Sequence, residues 1–303
     1  MNEFAIKYNV SAEVATYLDN VFRILKKHSI KRHRINWRDL NKLMYRHARG
    51  SQINSETYGA IRKILKKLGD KHSFIMLPID KKGKTKLERK VGWKFFKKQN
   101  IGYILLPSFA SGDPKKCNQF AENLQNIISK IDKHNPAGWV IDLRKNSGGN
   151  MWPMIAGLGP LLGNGRLGSF VFPSGKKSNW YYKNGNACEG NNCYVKIKHP
   201  YKLRSVLSPV AILIGEKTNS SGEAIVVAFR GRKKTLLFGK KTAGRTTANR
   251  GFNLSDGAML FLTVAIFADR NGKIYGNDIK PDKSCEGEET LRKAFKWLTG
   301  KAQ

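Results

Sequence analysis

Two neighbouring serines, Ser220 and Ser221, lie where a nucleophile could be activated. The apolar run 209–214 before them predicts a buried strand, and the apolar pattern 224–228 after them predicts a helix. The N–H groups at the start of a helix are unpaired and the helix dipole favours negative charge, so this turn could stabilise a developing oxyanion. Taken alone, the segment is explained somewhat better by a serine that only caps the helix.

A glycine-rich loop after a second predicted strand changes this balance. Residues 139–141 are apolar and predict a strand, and the polar segment that follows contains Gly148 and Gly149. Glycines can turn the backbone inward and present N–H groups with no side chain in the way. Strand ends that bring a serine and a glycine loop to one edge of a sheet commonly build a hydrolase site. The two segments together therefore predict acyl-transfer chemistry.

Four segments occur in an order that resembles one enzyme family. They are DLRKNSGG at 142–149, TNSSGE at 218–223, FGKKTAG at 238–244, and LSDGAML with DRNGKIYGNDIKPD within 254–282. This order resembles the C-terminal processing, or tail-specific, serine peptidases, in particular the tricorn-core and nisin-resistance-protease branch without a PDZ domain. The resemblance covers residues 69–282 and implies a serine endopeptidase that hydrolyses unstructured peptides or protein tails. It also implies an α/β sandwich core of the ClpP/crotonase-like type.

The resemblance assigns roles to the residues of both loops. The family motif places the nucleophile three residues before a glutamate, which selects Ser220 over Ser221. It also implies that the oxyanion is held by the Ser221 N–H and by an N–H of Gly148 or Gly149. Glu223 lies in the first turn of the predicted helix, where we expect it to support the helix rather than to react.

The general base implied by the resemblance is His72. Histidine is the usual base for a serine nucleophile because it titrates near working pH. The segment GDKHS at 69–73 is similar to the G-D-x-H-S segment of tricorn-like and nisin-resistance-type members, where this histidine is the base. The other five histidines lie among lysines or in polar loops without a motif, and a surface loop histidine is the alternative interpretation. Ser73 and Asp278 are candidates for orienting the histidine.

Arg245 marks a departure from another branch of the family. That branch uses a lysine base in a T-x-G-K segment, whereas here Thr242 begins TAGR and Arg245 occupies the lysine position. Arginine stays protonated and cannot accept the proton of the serine. The departure excludes a Ser–Lys mechanism and leaves His72 as the base. Arg245 and Thr242 are candidate substrate-binding residues, Arg245 for a substrate carboxylate, and a structural role for Arg245 is the alternative.

The elements that must position these residues divide the chain into three predicted parts. Residues 1–70 carry helical patterns and are predicted to form a small N-terminal helical lobe. Residues 71–100 hold the base segment and a basic hairpin or loop, which is too short for a PDZ domain. Residues 101–303 form the α/β core, with an inserted β region at 168–206 whose aromatic residues we expect to pack rather than to bind. The helix starts are predicted at Ser11, Asn36 and Ser55.

The net charge of the chain is +34, with 56 lysines and arginines against 22 acidic residues. Such a charge attracts anionic surfaces and would oppose the approach of cationic peptides. No nucleic-acid-binding module is evident and the lysines are spread over many segments, so we interpret the charge mainly as a solvated surface. The predicted partner is a peptide or protein substrate, with weak attraction to anionic surfaces and with no metal or cofactor. The alternative is a non-catalytic ligand- or polyanion-binding protein on the same fold.

The cysteines and the N-terminus bear on location. Cys188 and Cys193 flank a Gly/Asn turn and favour, by a small margin, a disulfide-closed hairpin in an oxidising compartment. No apolar run reaches the length of a membrane-spanning helix, and the first residues lack the pattern of a signal peptide. Members of the resembled family are mostly exported, so we expect a periplasmic or secreted protein whose leader is absent from this sequence. A cytoplasmic location is the alternative.

Overall fold

The computed structural model describes residues 3–78, 90–205 and 207–300, and the chain falls into two units. Part of the predicted basic hairpin or loop, residues 79–89, lies outside the described residues. The first unit comprises the described parts of Met1–Lys86, Phe172–Lys176 and Thr247–Ala265. The second unit comprises the described parts of Leu87–Val171, Lys177–Thr246 and Ile266–Gln303.

The described residues contain eight α-helices and thirteen strands. The helices are α1 (Glu3–Lys7), α2 (Ala12–His28), α3 (Trp37–His47), α4 (Tyr58–Leu68), α5 (Pro114–Asp132), α6 (Met151–Leu162), α7 (Ser221–Phe229) and α8 (Gly287–Leu298). The strands are β1 (Phe74–Met76), β2 (Gly92–Phe96), β3 (Ile101–Leu105), β4 (Gly138–Asp142), β5 (Gly165–Val171), β6 (Lys177–Lys183), β7 (Asn186–Glu189), β8 (Asn192–Lys196), β9 (Val210–Ile214), β10 (Thr235–Gly239), β11 (Thr247–Asn253), β12 (Met259–Asp269) and β13 (Lys283–Ser284).

Helices α2 and α3 of the first unit begin at the predicted caps. The Ser11 hydroxyl accepts a hydrogen bond from the Val14 N–H at 3.2 Å, and the Asn36 side chain accepts one from the Asp39 N–H at 3.3 Å. These side chains satisfy backbone donors that have no partner within the helix. The buried faces of α2, α3 and α4 then share one hydrophobic core.

The third predicted helix start, Ser55, is wrong. Ser55 lies inside a 3₁₀-helix, Asn54–Thr57, and α4 begins only at Tyr58. The Glu56 carboxylate accepts a hydrogen bond from the Gln52 N–H at 2.7 Å, so it is this glutamate that closes the turn. Since the 3₁₀ turn leads directly into α4, no serine cap is required there.

The base segment lies between α4 and β1 in the first unit. Gly69 ends α4 with a φ of +71°, a left-handed conformation that glycine adopts without strain. Strand β1 pairs antiparallel with the first part of β12, where Phe74 lies opposite Phe261 and their ring centroids are 4.8 Å apart. Strand β11 also pairs with β12. The histidine segment is therefore anchored on both sides by regular structure.

A six-stranded sheet in the second unit has the order β13-β10-β9-β4-β3-β2. The pairs from β3 through β13 are parallel, and β2 alone is antiparallel to its neighbour. Strands β4 and β9 are buried along their whole length, as expected of central strands in a parallel sheet. Because the strands run parallel, the loops after β4, β9 and β10 leave the same edge of the sheet, which is where open α/β sheets place ligands.

The predicted inserted β region is formed by β5 to β8, and the second part of β12 pairs with β5. A disulfide joins Cys188 and Cys193 across β7 and β8, as the spacing suggested. Trp180 is fully buried and packs on Phe267, which agrees with the expected packing role. Tyr194, in contrast, is 49% exposed. No helix of the described residues has the length and apolar composition that a membrane span needs.

Candidate active site

Ser220 occupies a strained turn between β9 and α7. It lies at the N-cap position of α7 with φ +52° and ψ −116°. A residue with a β-carbon is disfavoured in such a conformation, at a cost of roughly 1–3 kcal/mol, and this strain concentrates at functional sites. A serine on a sharp strand-to-helix turn is the arrangement that exposes a nucleophilic hydroxyl in other hydrolases.

Glu223 holds this turn through its carboxylate. Glu223 is fully buried, and its oxygens accept hydrogen bonds from the N–H groups of Ser220, Gly244 and Arg245, each at 2.9 Å. The Thr242 hydroxyl donates a fourth hydrogen bond at 2.5 Å. Burial raises the pKa of Glu223, and the four donors oppose that rise because they stabilise the ionised form. The Glu223 carboxylate thus joins the Ser220 turn to the segment that contains Gly244 and Arg245.

Gly148 and Gly149 bring the glycine loop close to the serine turn within the second unit. Their φ angles are +103° and +117°. A β-carbon on Gly148 would lie 2.8 Å from the Ser220 β-carbon, and one on Gly149 would lie 2.0 Å from the Phe109 carbonyl oxygen. Both contacts are too short, so only glycine fits at either position. The Ser221 hydroxyl donates to the Gly149 carbonyl at 2.5 Å, which ties the two loops together and shows that Ser221 is not the helix cap.

The N–H groups of this loop differ in whether they are free to bind an oxyanion. The Gly148 N–H already donates to the Asn146 side-chain oxygen at 2.9 Å. Within the described residues, the N–H groups of Gly149 and Ser221 have no acceptor. Of the two glycines that the sequence offers as oxyanion donors, Gly149 is therefore the one whose N–H is available.

His72 belongs to the first unit, in a turn organised by Asp70. One Asp70 carboxylate oxygen accepts from the N–H groups of His72 at 3.0 Å and Ser73 at 2.8 Å, and the other accepts from the Ser73 hydroxyl at 2.6 Å. Lys71, which lies between Asp70 and His72 in the sequence, has a φ of +59°. The Ser73 hydroxyl also accepts from the Thr263 N–H at 2.9 Å, so Ser73 anchors the turn to β12.

His72 is 8% exposed, and its ring has a partner that sequence reasoning missed. Its Nδ1 lies 2.8 Å from the hydroxyl oxygen of Thr247, the first residue of β11. The Asn249 side chain, two residues further along β11, donates to the His72 carbonyl at 2.8 Å. No motif marks Thr247. The only signal that the sequence could have given is the position of Thr247 at the start of a strand. That strand, β11, was not predicted, so the signal was lost.

The remaining predicted residues have different surroundings. Thr242 is buried, and its hydroxyl donates to Glu223 and accepts from the Ile279 N–H at 2.9 Å, so its proton is already used within the protein. The Arg245 backbone N–H donates a hydrogen bond to the Glu223 carboxylate, and the residue is exposed. Asp278 is half-buried in the second unit, and its role in orienting the histidine stays a prediction. Among the described residues, no group of three or more His, Cys, Asp or Glu side chains is arranged to hold a metal ion.

Comparison with known proteins identifies the family. Residues 100–285 match the model of peptidase family S41. The chain is 31% identical over 263 residues to the nisin-resistance protein of Lactococcus lactis subsp. lactis, covering 86% of this chain and 80% of that protein. It is 27% identical over 192 residues to the carboxy-terminal processing protease CtpA of Bacillus subtilis (strain 168), covering 63% of this chain but only 36% of that protein. The solved structure of a lipoprotein from Streptococcus agalactiae is similar with a TM-score of 0.81 at 25% identity, covering 96% of this chain and 98% of that one.

The fold and these matches define a serine-type peptidase with a mixed α/β core. The chain belongs to peptidase family S41. The predictions of the family, the fold class and the enzyme class are therefore confirmed.

Proposed function

We propose that this peptidase is an endopeptidase that cleaves unstructured peptides or protein tails, with Ser220 as nucleophile and His72 as general base. The observation that carries the proposal is the backbone of Ser220, whose positive φ is maintained at the start of α7 by the buried Glu223. Strain of this kind persists only where the surrounding structure enforces it. A serine that only capped the helix would not need a positive φ, because N-cap residues ordinarily adopt extended conformations.

In the proposed mechanism, His72 accepts the hydroxyl proton of Ser220 as the oxygen attacks the substrate carbonyl carbon. The proton then passes to the leaving amine as the peptide C–N bond breaks, which leaves an acyl-enzyme on Ser220. Water repeats the sequence with the same base and releases the acid. The 2.8 Å contact from His72 Nδ1 to Thr247 supports this, because a hydroxyl oxygen that accepts the Nδ1 proton leaves Nε2 as the proton acceptor.

The oxyanion of the tetrahedral intermediate would be stabilised by the N–H groups of Gly149 and Ser221. Both groups lack an acceptor within the described residues, whereas the Gly148 N–H is bonded to Asn146. We assign Gly148 to the close approach between the glycine loop and Ser220. The negative charge would also lie near the N-terminus of α7, where the helix dipole favours it.

Substrate binding is assigned to Arg245 alone of the two candidates. The Arg245 residue is exposed, and its backbone N–H donates to Glu223. The guanidinium is therefore accessible on a backbone whose position is fixed. A guanidinium can bind a carboxylate through two parallel hydrogen bonds, which suits the end of a protein tail. We assign Thr242 to the support of Glu223 instead.

We place this activity outside the cytosol. The Cys188–Cys193 disulfide supports an oxidising compartment, where such bonds persist. Similarity over most of the chain to a protein described as a lipoprotein points the same way.

The test compares the wild type with Ser220→Ala and His72→Ala on a mixture of unstructured peptides, with products identified by mass spectrometry. Each variant should lose cleavage by at least about 10⁴-fold, since both groups act on the reacting atoms. Ser174→Ala and His199→Ala are matched controls, because both residues are exposed and lie outside the proposed machinery. Cleavage that survives Ser220→Ala would refute the nucleophile. Absence of cleavage by every form, with retained ligand binding, would favour the non-catalytic alternative.

A further inference from the structure

The exposed sides of α3 and α4 in the first unit carry many basic residues and few acidic ones. Residues on a helix four positions apart share a face, so the basic residues of α3 form a stripe about 12 Å long. The α3 sequence contains one acidic residue, Asp39, and the α4 sequence contains none. We call these exposed side chains the basic face: Arg38, Lys42 and Arg46 on α3, with Arg62, Lys63, Lys66 and Lys67 on α4.

The charges of the basic face reinforce one another. His47, at the end of α3, has its pKa lowered by burial and then by the positive charges of Lys63 and Arg46, so the two helices contribute to one local potential. Within the described residues, no side chain of the basic face forms an ion pair. Like charges four residues apart destabilise a helix. The arrangement therefore carries a cost that an anionic partner would remove.

Helix α8 in the second unit shows that the chain can neutralise helical cations. There Glu289 pairs with Lys293 at 3.1 Å and lies 3.8 Å from Arg292. The α8 sequence places two glutamates in its first turn, ahead of its basic residues. The absence of comparable carboxylates from the basic face is thus a local property and does not follow from the net charge alone.

Two aliphatic side chains are exposed near the carboxyl end of α3. Ile6 is 68% exposed and Ile53 is 54% exposed. Their segments meet beside Arg49, whose guanidinium lies 5.8 Å from the centre of the Tyr8 ring. The Gly50 N–H donates to the Tyr8 carbonyl at 3.0 Å. Both isoleucines therefore belong to the end of the lobe where α3 terminates.

We propose that the basic face docks on the surface of an anionic lipid bilayer, with Ile6 and Ile53 entering the interface. Cations near an anionic membrane attract it, and aliphatic side chains beside them gain by leaving water for the boundary of the acyl chains. A soluble polyanion would use the cations but would gain little from exposed isoleucines. The combination of the two favours a lipid surface, and the proposal does not depend on the peptidase mechanism.

The test is flotation of the full chain with vesicles that contain phosphatidylglycerol and with vesicles of phosphatidylcholine alone. The triple variant Arg38→Gln, Lys42→Gln, Arg46→Gln should partition less onto the anionic vesicles, by about fivefold per cation and on the order of 100-fold in total. Glutamine keeps a similar helix propensity, and circular dichroism checks that the variant is folded. The double variant Ile6→Ser, Ile53→Ser should lower partition roughly tenfold.

The matched control removes three charges elsewhere, with Lys115→Gln, Lys130→Gln and Lys133→Gln, all exposed residues in or next to α5. Partition of this control should stay close to that of the wild type. Equal losses in the α3 variant and the control would overturn the proposal, because net charge alone would then explain binding. Equal binding to phosphatidylcholine vesicles would overturn it as well. Binding of soluble polyphosphate that needs the α3 cations, without vesicle binding, would reassign the face to a polymer and refute the lipid partner.

Discussion

The turn before His72 and the turn at Ser220 are built on the same plan in different units. In each, a carboxylate accepts several hydrogen bonds, and a residue other than glycine has a positive φ, Lys71 in one and Ser220 in the other. The turns differ in the reach of their carboxylates. All three hydrogen bonds to Asp70 come from His72 and Ser73, whereas Glu223 also binds donors about twenty residues away in the chain.

Burial explains what this difference does. Asp70 is half-exposed, so water can reach its turn and replace a lost hydrogen bond. Glu223 is fully buried, and its donors have no such substitute. In the buried turn the residue with the positive φ is Ser220, the proposed nucleophile, whereas in the other turn it is Lys71, which has no proposed catalytic role. The carboxylate of the nucleophile turn thus joins segments that only tertiary structure brings together, while the carboxylate of the base turn accepts only from its own neighbours in the sequence.

The largest expected effect is on stability, when each of the two carboxylates is removed in turn. Glu223→Ala leaves four buried donors without an acceptor, so the free energy of unfolding should fall by about 4 kcal/mol. Asp70→Ala should lower it by only about 1 kcal/mol, because water can satisfy its donors. Urea denaturation of both variants measures the difference. Equal losses would show that burial does not distinguish the two turns.

Thr247 provides a smaller test on the base side. Thr247→Val keeps the shape of the side chain and removes the oxygen that lies 2.8 Å from His72 Nδ1. We expect kcat/KM to fall about tenfold, the value of one hydrogen bond, and Thr247→Ser to restore it. Nitrogen NMR of the His72 ring should show a change of tautomer in the valine variant. An unchanged tautomer with lower activity would mean that Thr247 acts only through packing.

The smallest expected effect is a pH dependence of stability that originates at Glu223. Burial raises its pKa in the folded state, so the folded protein holds this proton at a pH where the unfolded chain has released it. The contribution of Glu223 to stability should therefore decrease as pH rises from the ordinary glutamate range to the raised pKa. Glu223→Gln cannot titrate, so the stability advantage of the wild type over this variant should shrink across that range. An advantage that grows with pH would mean that the four donors outweigh burial.

Prediction from sequence succeeded where the signal is local. The strand before Ser220 and the helix after it follow from apolar patterning, and they are β9 and α7. It failed where structure depends on a distant partner. Strand β11 has the sequence TANRGFN, in which only Ala248 and Phe252 have apolar side chains, so it has no strong pattern of its own and forms by pairing with β12. Helix α8 was also not predicted.

The sequence by itself determined the family, the order of strands and helices around Ser220, and the segment that carries His72. Apolar patterns and short motifs are enough to predict these features, because each depends on residues that are close together in the chain. Only the tertiary structure decided that Gly149 rather than Gly148 has a free N–H, that Glu223 joins two loops, and that Thr247 contacts His72 from 175 residues away. Each of these depends on which donor meets which acceptor after folding, and hydrogen bonds between distant segments leave no periodic trace in the sequence.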